Sequence, residues 1–210
     1  MKKITRKKLD QFLLRHASKV RTLDIGSGGS GYDRYFPNRV TVDIDPARKP
    51  DIVADAEHLP FKDGEFSFVL CTEVLEHVRN PREAISEMHR VLEPGGTLIL
   101  TTRFVYPLHD TPHDYWRFTR YGMEELFRDW EIKELVPETI DAETIGVLIQ
   151  RIGLQTRMRA NKLAKALTFG LASLASLGNK LIRTRYGEIQ KRTPEDHLLA
   201  SGYYLVARRP

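Results

Sequence analysis

The chain has 210 residues, 41% hydrophobic and 29% charged, with a formal net charge of +5. That is the balance of a globular protein with room for one sizeable core and an appendage. A single cysteine, Cys71, excludes an internal disulfide and a cysteine-based metal cluster. No run of about 18 apolar residues is present, which excludes a spanning helix, and the modest charge permits nucleic acid or anionic lipid as a partner without demanding either.

Read in chain order, the basic start (Lys2, Lys3, Arg6, Lys7, Lys8) runs into no apolar segment, so a cytoplasmic place is expected. Within residues 1–18, positions 4–16 form a short amphipathic helix. Ile4, Leu9, Phe12 and Leu13 share one of its faces, which would cover a sheet edge or a ligand mouth. Strands are predicted at 20–25, 40–44, 51–54, 66–71, 97–102, 131–136 and 203–208, several of them continuous apolar runs of the kind buried on both faces. The clearest helix is 81–92. Asn80 caps it, Pro81 takes its first position, Glu83 is placed for a capping box, and Ala84, Ile85, Met88, Val91 and Leu92 make its apolar face. Pro94-Gly95-Gly96 stops it and turns the chain into the strand Thr97–Thr102. Repeated β-α-β crossovers of this kind specify an α/β fold, a doubly wound and mostly parallel sheet. The whole chain reads as one domain. Residues 19–137 are its core, 138–197 a mainly helical insertion, and 198–210 the last strand.

Four glycines follow the first strand in Ile-Gly-Ser-Gly-Gly-Ser-Gly, where backbone N–H groups can approach a ligand with no Cβ in the way. Asp24 at that strand end suits a cation better than a phosphate. Asp43, closing the next strand in Val-Thr-Val-Asp-Ile-Asp, can grip two ribose hydroxyls. A nucleoside carrying a positive charge is the ligand these residues describe.

Further on come Ala-Asp-Ala-Glu-His-Leu-Pro-Phe, then Phe-Ser-Phe-Val-Leu-Cys-Thr-Glu-Val-Leu-Glu-His-Val, then Arg-Val-Leu-Glu-Pro-Gly-Gly. Taken with the two earlier motifs and in this order, residues 20 to 102 resemble the class I S-adenosylmethionine-dependent methyltransferases of the type-11 group. The resemblance implies a Rossmann-like sheet of seven strands with the last antiparallel, and S-adenosylmethionine as cofactor. It implies that Asp24, Gly26, Ser27 and Gly28 wrap the methionine portion and that Asp43 holds the ribose. Ile44 would pack on the adenine, Asp55 accept from its amino group beside the Ala56 backbone, and Cys71 and Thr72 turn backbone carbonyls to the methionine amine. The loop departs from the family's pattern at Ser30, where a glycine is usual.

Two stretches break the alternation of strands and helices. His109-Asp-Thr-Pro-His-Asp-Tyr-Trp-Arg-Phe-Thr-Arg-Tyr-Gly, within the segment 103–120, lies just after the fifth strand. It offers His109 and His113 as candidate bases, and Asp114, Tyr115 and Arg117 as acceptor-binding groups. The plainer reading of the same residues is a structural loop in which Arg117 pairs with Asp114 and Thr119 caps a helix. His77 reads as a helix-start residue before a catalytic base, Cys71 as a packing residue, and Glu73 and Glu76 as exposed or capping groups.

The second stretch, 160–182, carries Leu163, Leu167, Leu171, Leu174, Leu177 and Leu181 at near-helical spacing, with Arg157, Arg159, Lys162 and Lys165 before them and Lys180, Arg183 and Arg185 after. Such a helix serves the core, a homodimer, or a peripheral contact with anionic membrane through 157–185.

The function expected is methyl transfer to an oxygen or nitrogen of a small-molecule or lipid- or glycan-like acceptor, with no metal required by the sequence. A catalytically silent S-adenosylmethionine-binding partner subunit is the alternative. A nicotinamide-dependent oxidoreductase fits Gly26, Gly28 and Gly31, but only 14 residues separate Ile25 from Val40, short for a loop and a full helix. Nucleic-acid methylation is not expected, since the fourth strand ends in Cys71-Thr-Glu-Val and no target-reading domain is present.

Overall fold

The structure, a computed structural model, describes residues 3–29, 31–157 and 161–210. Ser30, Lys2 and Arg159, named above, lie outside them. All seven predicted strands form. They are β1 (Thr22–Ile25), β2 (Arg39–Asp43), β3 (Ile52–Val53), β4 (Phe66–Thr72), β5 (Leu92–Arg103), β6 (Glu131–Pro137) and, after a short pair β7 (Tyr186–Glu188) and β8 (Thr193–Pro194), β9 (Gly202–Arg208). One sheet runs in the order β3-β2-β1-β4-β5-β9-β6. The β1–β2, β1–β4, β2–β3 and β4–β5 pairs are parallel. β9 enters antiparallel beside β5, its Arg209 flank exchanging backbone hydrogen bonds with Gly95 and Gly96. The separate β7–β8 pair is antiparallel.

The chain divides into two compact units. The sheet unit holds residues 12–103, 108–136 and 203–210; the other holds, of the described residues, 3–11, 104–107 and 137–202. In the sheet unit Leu23, Ile25, Val69, Leu98, Leu100 and Leu205 of the central strands are buried with Met88 and Phe127 from the helices. Helix α1 (Ile4–Arg15) ends there, its Phe12 ring 4.6 Å from that of Tyr204. Phe12 thus packs on β9, a strand inside the sheet, where a sheet edge or a ligand mouth was expected.

Helix α2 (Pro81–Val91) is capped as read, Asn80 Oδ1 accepting from the Glu83 N–H at 3.4 Å. The other half of the capping box differs: the Asn80 N–H goes to Glu57 Oε1 at 2.9 Å. β5 also starts at Leu92, five residues before the predicted Thr97, because Leu92 pairs with Phe66 ahead of a register shift. Helix α3 (Arg120–Leu126) begins under Thr119, whose hydroxyl accepts from the Gly122 N–H.

In the second unit α4 (Asp141–Gln155) and α5 (Asn161–Ser176) pack on each other through small residues. A Cβ at Gly146 would lie 2.6 Å from the Ala172 carbonyl oxygen and one at Gly153 would lie 2.3 Å from the Thr168 hydroxyl, so the two helices approach closely only because those side chains are missing. No helix among the described residues is long and apolar enough to cross a membrane.

Candidate active site

Parallel strands all point their carboxyl ends at one rim, and the predicted cofactor residues lie at or just beyond the ends of β1, β2, β3 and β4. β1 runs into Gly26, which has φ 68° and whose Cβ would lie 2.1 Å from Val74 Cγ2. Only glycine supplies both the left-handed backbone and the clearance. The loop then ties to β2. The Gly26 and Ser27 N–H groups donate to the Val42 carbonyl, and the Gly28 N–H donates to Asp43 Oδ2 at 3.0 Å. Asp43 accepts a second bond from the Asp45 N–H at 3.0 Å, so its buried carboxylate is held rigid at the strand end. Beside it Ile44 is 67% and Val53 55% exposed, an apolar surface left open between Asp43 and Asp55. Asp55, half-buried, accepts from the Glu57 N–H at 3.0 Å, and Ala56 next to it is buried.

Asp24 is buried within β1. Its Oδ2 pairs with Arg39, which also reaches Asp33 at 2.7 Å, while Oδ1 is buried with no hydrogen-bond partner. Burial pushes this carboxyl up to about 7 against the pull of Arg39. Cys71 and Thr72 end β4. The Cys71 thiol is enclosed, and burial first, then the charges of Glu76 and Asp24, hold it well above its ordinary pKa. The Thr72 hydroxyl lies 3.3 Å from the Tyr32 hydroxyl.

Glu76 is the residue sequence reasoning missed. Read as exposed or capping, it is fully buried. Its Oε2 accepts from the Thr102 hydroxyl at 2.8 Å and its carbonyl accepts from the N–H groups of Tyr115 and Trp116. Burial pushes its carboxyl up to about 7, opposed by Arg103. Glu73, also read as exposed, is paired with the buried Arg103. The signal available in the sequence was a carboxylate set inside the apolar run Val74-Leu75-Glu76-His77-Val78.

The 109–117 segment folds over Glu76. Asp114 takes both Arg117 nitrogens, at 2.6 and 2.7 Å, and the His109 N–H at 3.0 Å. Burial opposes but does not outweigh these bonds, and the Asp114 carboxyl falls to about 2. The contacts of the plainer reading are therefore present: Arg117 holds Asp114, and Thr119 caps α3. His109 stands between two carboxylates, Nδ1 3.4 Å from Asp114 Oδ2 and Nε2 3.8 Å from Glu76 Oε1. Its burial lowers its pKa, keeping the ring neutral at pH 7. His113 is exposed, its Nδ1 2.9 Å from the Tyr115 hydroxyl. The structure thus separates the two candidate bases, enclosing His109 and leaving His113 at the surface.

Residues 23–100 match the family model described as "Methyltransferase domain". The chain is 31% identical over 136 residues to the Ubiquinone biosynthesis O-methyltransferase of Dechloromonas aromatica, covering 57% of this chain and 56% of that one. It is 39% identical over 114 residues to the Ubiquinone/menaquinone biosynthesis C-methyltransferase UbiE of Neisseria meningitidis, covering 51% and 46%. An uncharacterized protein of Methanocaldococcus jannaschii is 42% identical over 96 residues, covering 42% and 47%. The chain spans about half the length of these curated relatives. Among solved structures the [4+2]-cyclase SpnF superposes with a TM-score of 0.61 at 17% identity, covering 98% of this chain and 80% of that one. With this sheet order and these ordered motifs, the stretch 23–100 is a methyltransferase domain of the class I S-adenosylmethionine-dependent kind. The dinucleotide-oxidoreductase alternative falls with that assignment.

The residues present fit the cofactor this family uses. The orphaned Asp24 oxygen is buried where a cationic group would relieve it, the left-handed glycine loop lies open to a close approach, and the exposed Ile44 offers a flat ring a face.

Proposed function

We propose that the protein transfers a methyl group from S-adenosylmethionine to an oxygen or nitrogen of a small, lipid-like acceptor. The cofactor supplies an electrophilic methyl on a sulfonium, and the chain's own work is alignment and proton removal. Asp43 would hold the ribose, Ile44 and Asp55 with the Ala56 backbone the adenine, and Asp24, Gly26, Ser27 and Gly28 the amino-acid end, with Cys71 and Thr72 closing the floor. His109 would take the proton of an acceptor hydroxyl. Asp114 Oδ2, 3.4 Å from its Nδ1, favours the tautomer that carries the proton there and leaves Nε2 basic. Tyr115 and Arg117 would border the acceptor.

The observation that carries this reading is the register of β1 beside β4, Ile25 against Cys71. It sets Gly26 against Val74, two residues before the Glu76 carbonyl that holds the 109–117 segment through the Tyr115 and Trp116 N–H groups. The O- and C-methyltransferases of ubiquinone biosynthesis among the relatives support an acceptor with a greasy body.

Transfer of labelled methyl from S-adenosylmethionine to hydroxylated, isoprenoid-bearing aromatic acceptors tests the proposal. His109→Asn should lower turnover by about 10²–10⁴-fold with cofactor affinity unchanged, and His113→Ala should have a far smaller effect. No transfer to any such acceptor, or His109→Asn acting on cofactor affinity alone, would overturn it.

A further inference from the structure

Under the 109–117 segment three side chains converge that the methyl-transfer reading does not fully use. Glu76, His77 and His109 each offer one ligand atom, and these atoms all lie within 4.8 Å of one another. Neighbours hold each side chain. Glu76 Oε2 accepts from Thr102, His77 Nδ1–H donates to the His113 carbonyl, and His109 Nδ1 lies 3.4 Å from Asp114 Oδ2, a carboxylate locked by Arg117. The two imidazoles meet edge to face with centroids 4.7 Å apart. Metal-bound histidines are oriented in this way, by a carboxylate or carbonyl on the ring nitrogen that does not bind. The remaining oxygen, Glu76 Oε1, is buried with no hydrogen-bond partner, a state that costs free energy and that a cation would relieve.

We infer that Glu76 Oε1, His77 and His109 Nε2 form a site for a divalent transition-metal ion of the zinc and iron type. Two imidazoles and one carboxylate oxygen select such ions over magnesium or calcium, which prefer all-oxygen surroundings. Metal bonds of about 2.0–2.2 Å put tetrahedral ligand atoms about 3.3 Å apart. The 3.8 Å between Glu76 Oε1 and His109 Nε2 therefore closes with a small side-chain adjustment. Three protein ligands leave the ion an open side, as catalytic rather than structural sites do. Its role, though not its binding, rests on the methyl-transfer reading. A seated ion occupies His109 Nε2, so that ring no longer takes the acceptor's proton. The ion instead acidifies a hydroxyl drawn to its open side, whose proton passes to bulk water while the oxygen keeps its electron pair.

The test is a titration of chelator-stripped protein, without cofactor or acceptor, by Zn2+ in a calorimeter and by Co2+ followed through its visible absorption. The expected result is one equivalent of Co2+ with the strong bands of low coordination, displaced by Zn2+ and untouched by Mg2+. Asp114→Asn, which removes no ligand atom but takes the charge from behind His109 and from its pair with Arg117, should weaken binding about 10–100-fold. Glu76→Gln and His77→Asn should abolish it, and His58→Ala, at an exposed histidine elsewhere, should leave it intact. If Glu76→Gln fails to fold, His77→Asn at a half-buried position decides alone. Absence of stoichiometric binding, or equal affinity in His77→Asn and the wild type, overturns the proposal. A proton shared between Glu76 and His109 would then account for the orphaned oxygen. S-adenosylmethionine titrated into the same stripped protein reports on the methyltransferase reading separately.

Discussion

Asp24 and Asp114 are aspartates in opposite electrostatic conditions, and their signs are testable. Asp114, held by Arg117 and down at about 2, contributes stability that is present above the ordinary carboxylate value of 3.8 and is lost as pH falls through 2. Asp24 and Glu76, raised to about 7, bind protons in the folded protein that the unfolded chain has already lost, so stability falls as pH rises from the ordinary carboxylate range to 7. Denaturant unfolding of the ligand-free protein should show a fall between about pH 4 and about pH 7, and Asp24→Asn should remove about half of it. Parallel profiles for variant and wild type would contradict the assignment. At the loop, Gly26→Ala brings a Cβ to 2.1 Å from Val74 at φ 68°. We expect a loss of about 1–3 kcal/mol in stability together with loss of cofactor binding; thermal unfolding near that of the wild type would show that the loop has slack.

Most elements were legible because they obey one period each. The strands are apolar runs, and α2 carries a cap, a proline and a 3.6-residue stripe. β7 and β8 were not, being three and two residues long and one of them ending in proline. Glu76 was not legible for a different reason: its burial depends on a segment more than thirty residues away closing over it, and no local pattern encodes that. The six leucines, four in α5 and two in the turn Leu177–Leu181 that follows it, were read as a stripe with three fates open. The helix meets α4 through its small residues, with Ala172 fully buried, while the six leucines are 52–86% exposed. A core role for them is thereby removed. We propose that this face seats on anionic membrane, because Lys162, Lys165, Lys180 and Arg183 bracket the apolar stripe where lipid phosphates would lie. Flotation with anionic vesicles should show binding that weakens with salt and is lost in a folded Leu174→Asp, Leu177→Asp variant. Dimerisation without flotation, lost in the same variant, would assign the face to a second copy instead.

At the scale of the molecule, one unit carries nearly all of the sheet and every predicted site residue, and the other is assembled from three separated stretches, the longest of which holds the exposed leucines. The reading of 138–197 as an insertion marks most of that second unit, but its recruitment of residues 3–11 and 104–107 was beyond sequence patterns, which see only neighbours along the chain. The motifs that resemble type-11 methyltransferases all fall in the sheet unit, and the central claim is that its rim binds S-adenosylmethionine through Asp43. Calorimetric titration of the wild type and of Asp43→Ala with S-adenosylmethionine and with NAD tests it most directly. Saturable binding of S-adenosylmethionine, weakened by about 1–3 kcal/mol in Asp43→Ala because the ribose hydroxyls lose a charged acceptor, with no heat from NAD, is the result expected. Heat from NAD and none from S-adenosylmethionine, or an affinity unchanged by the substitution, would contradict it.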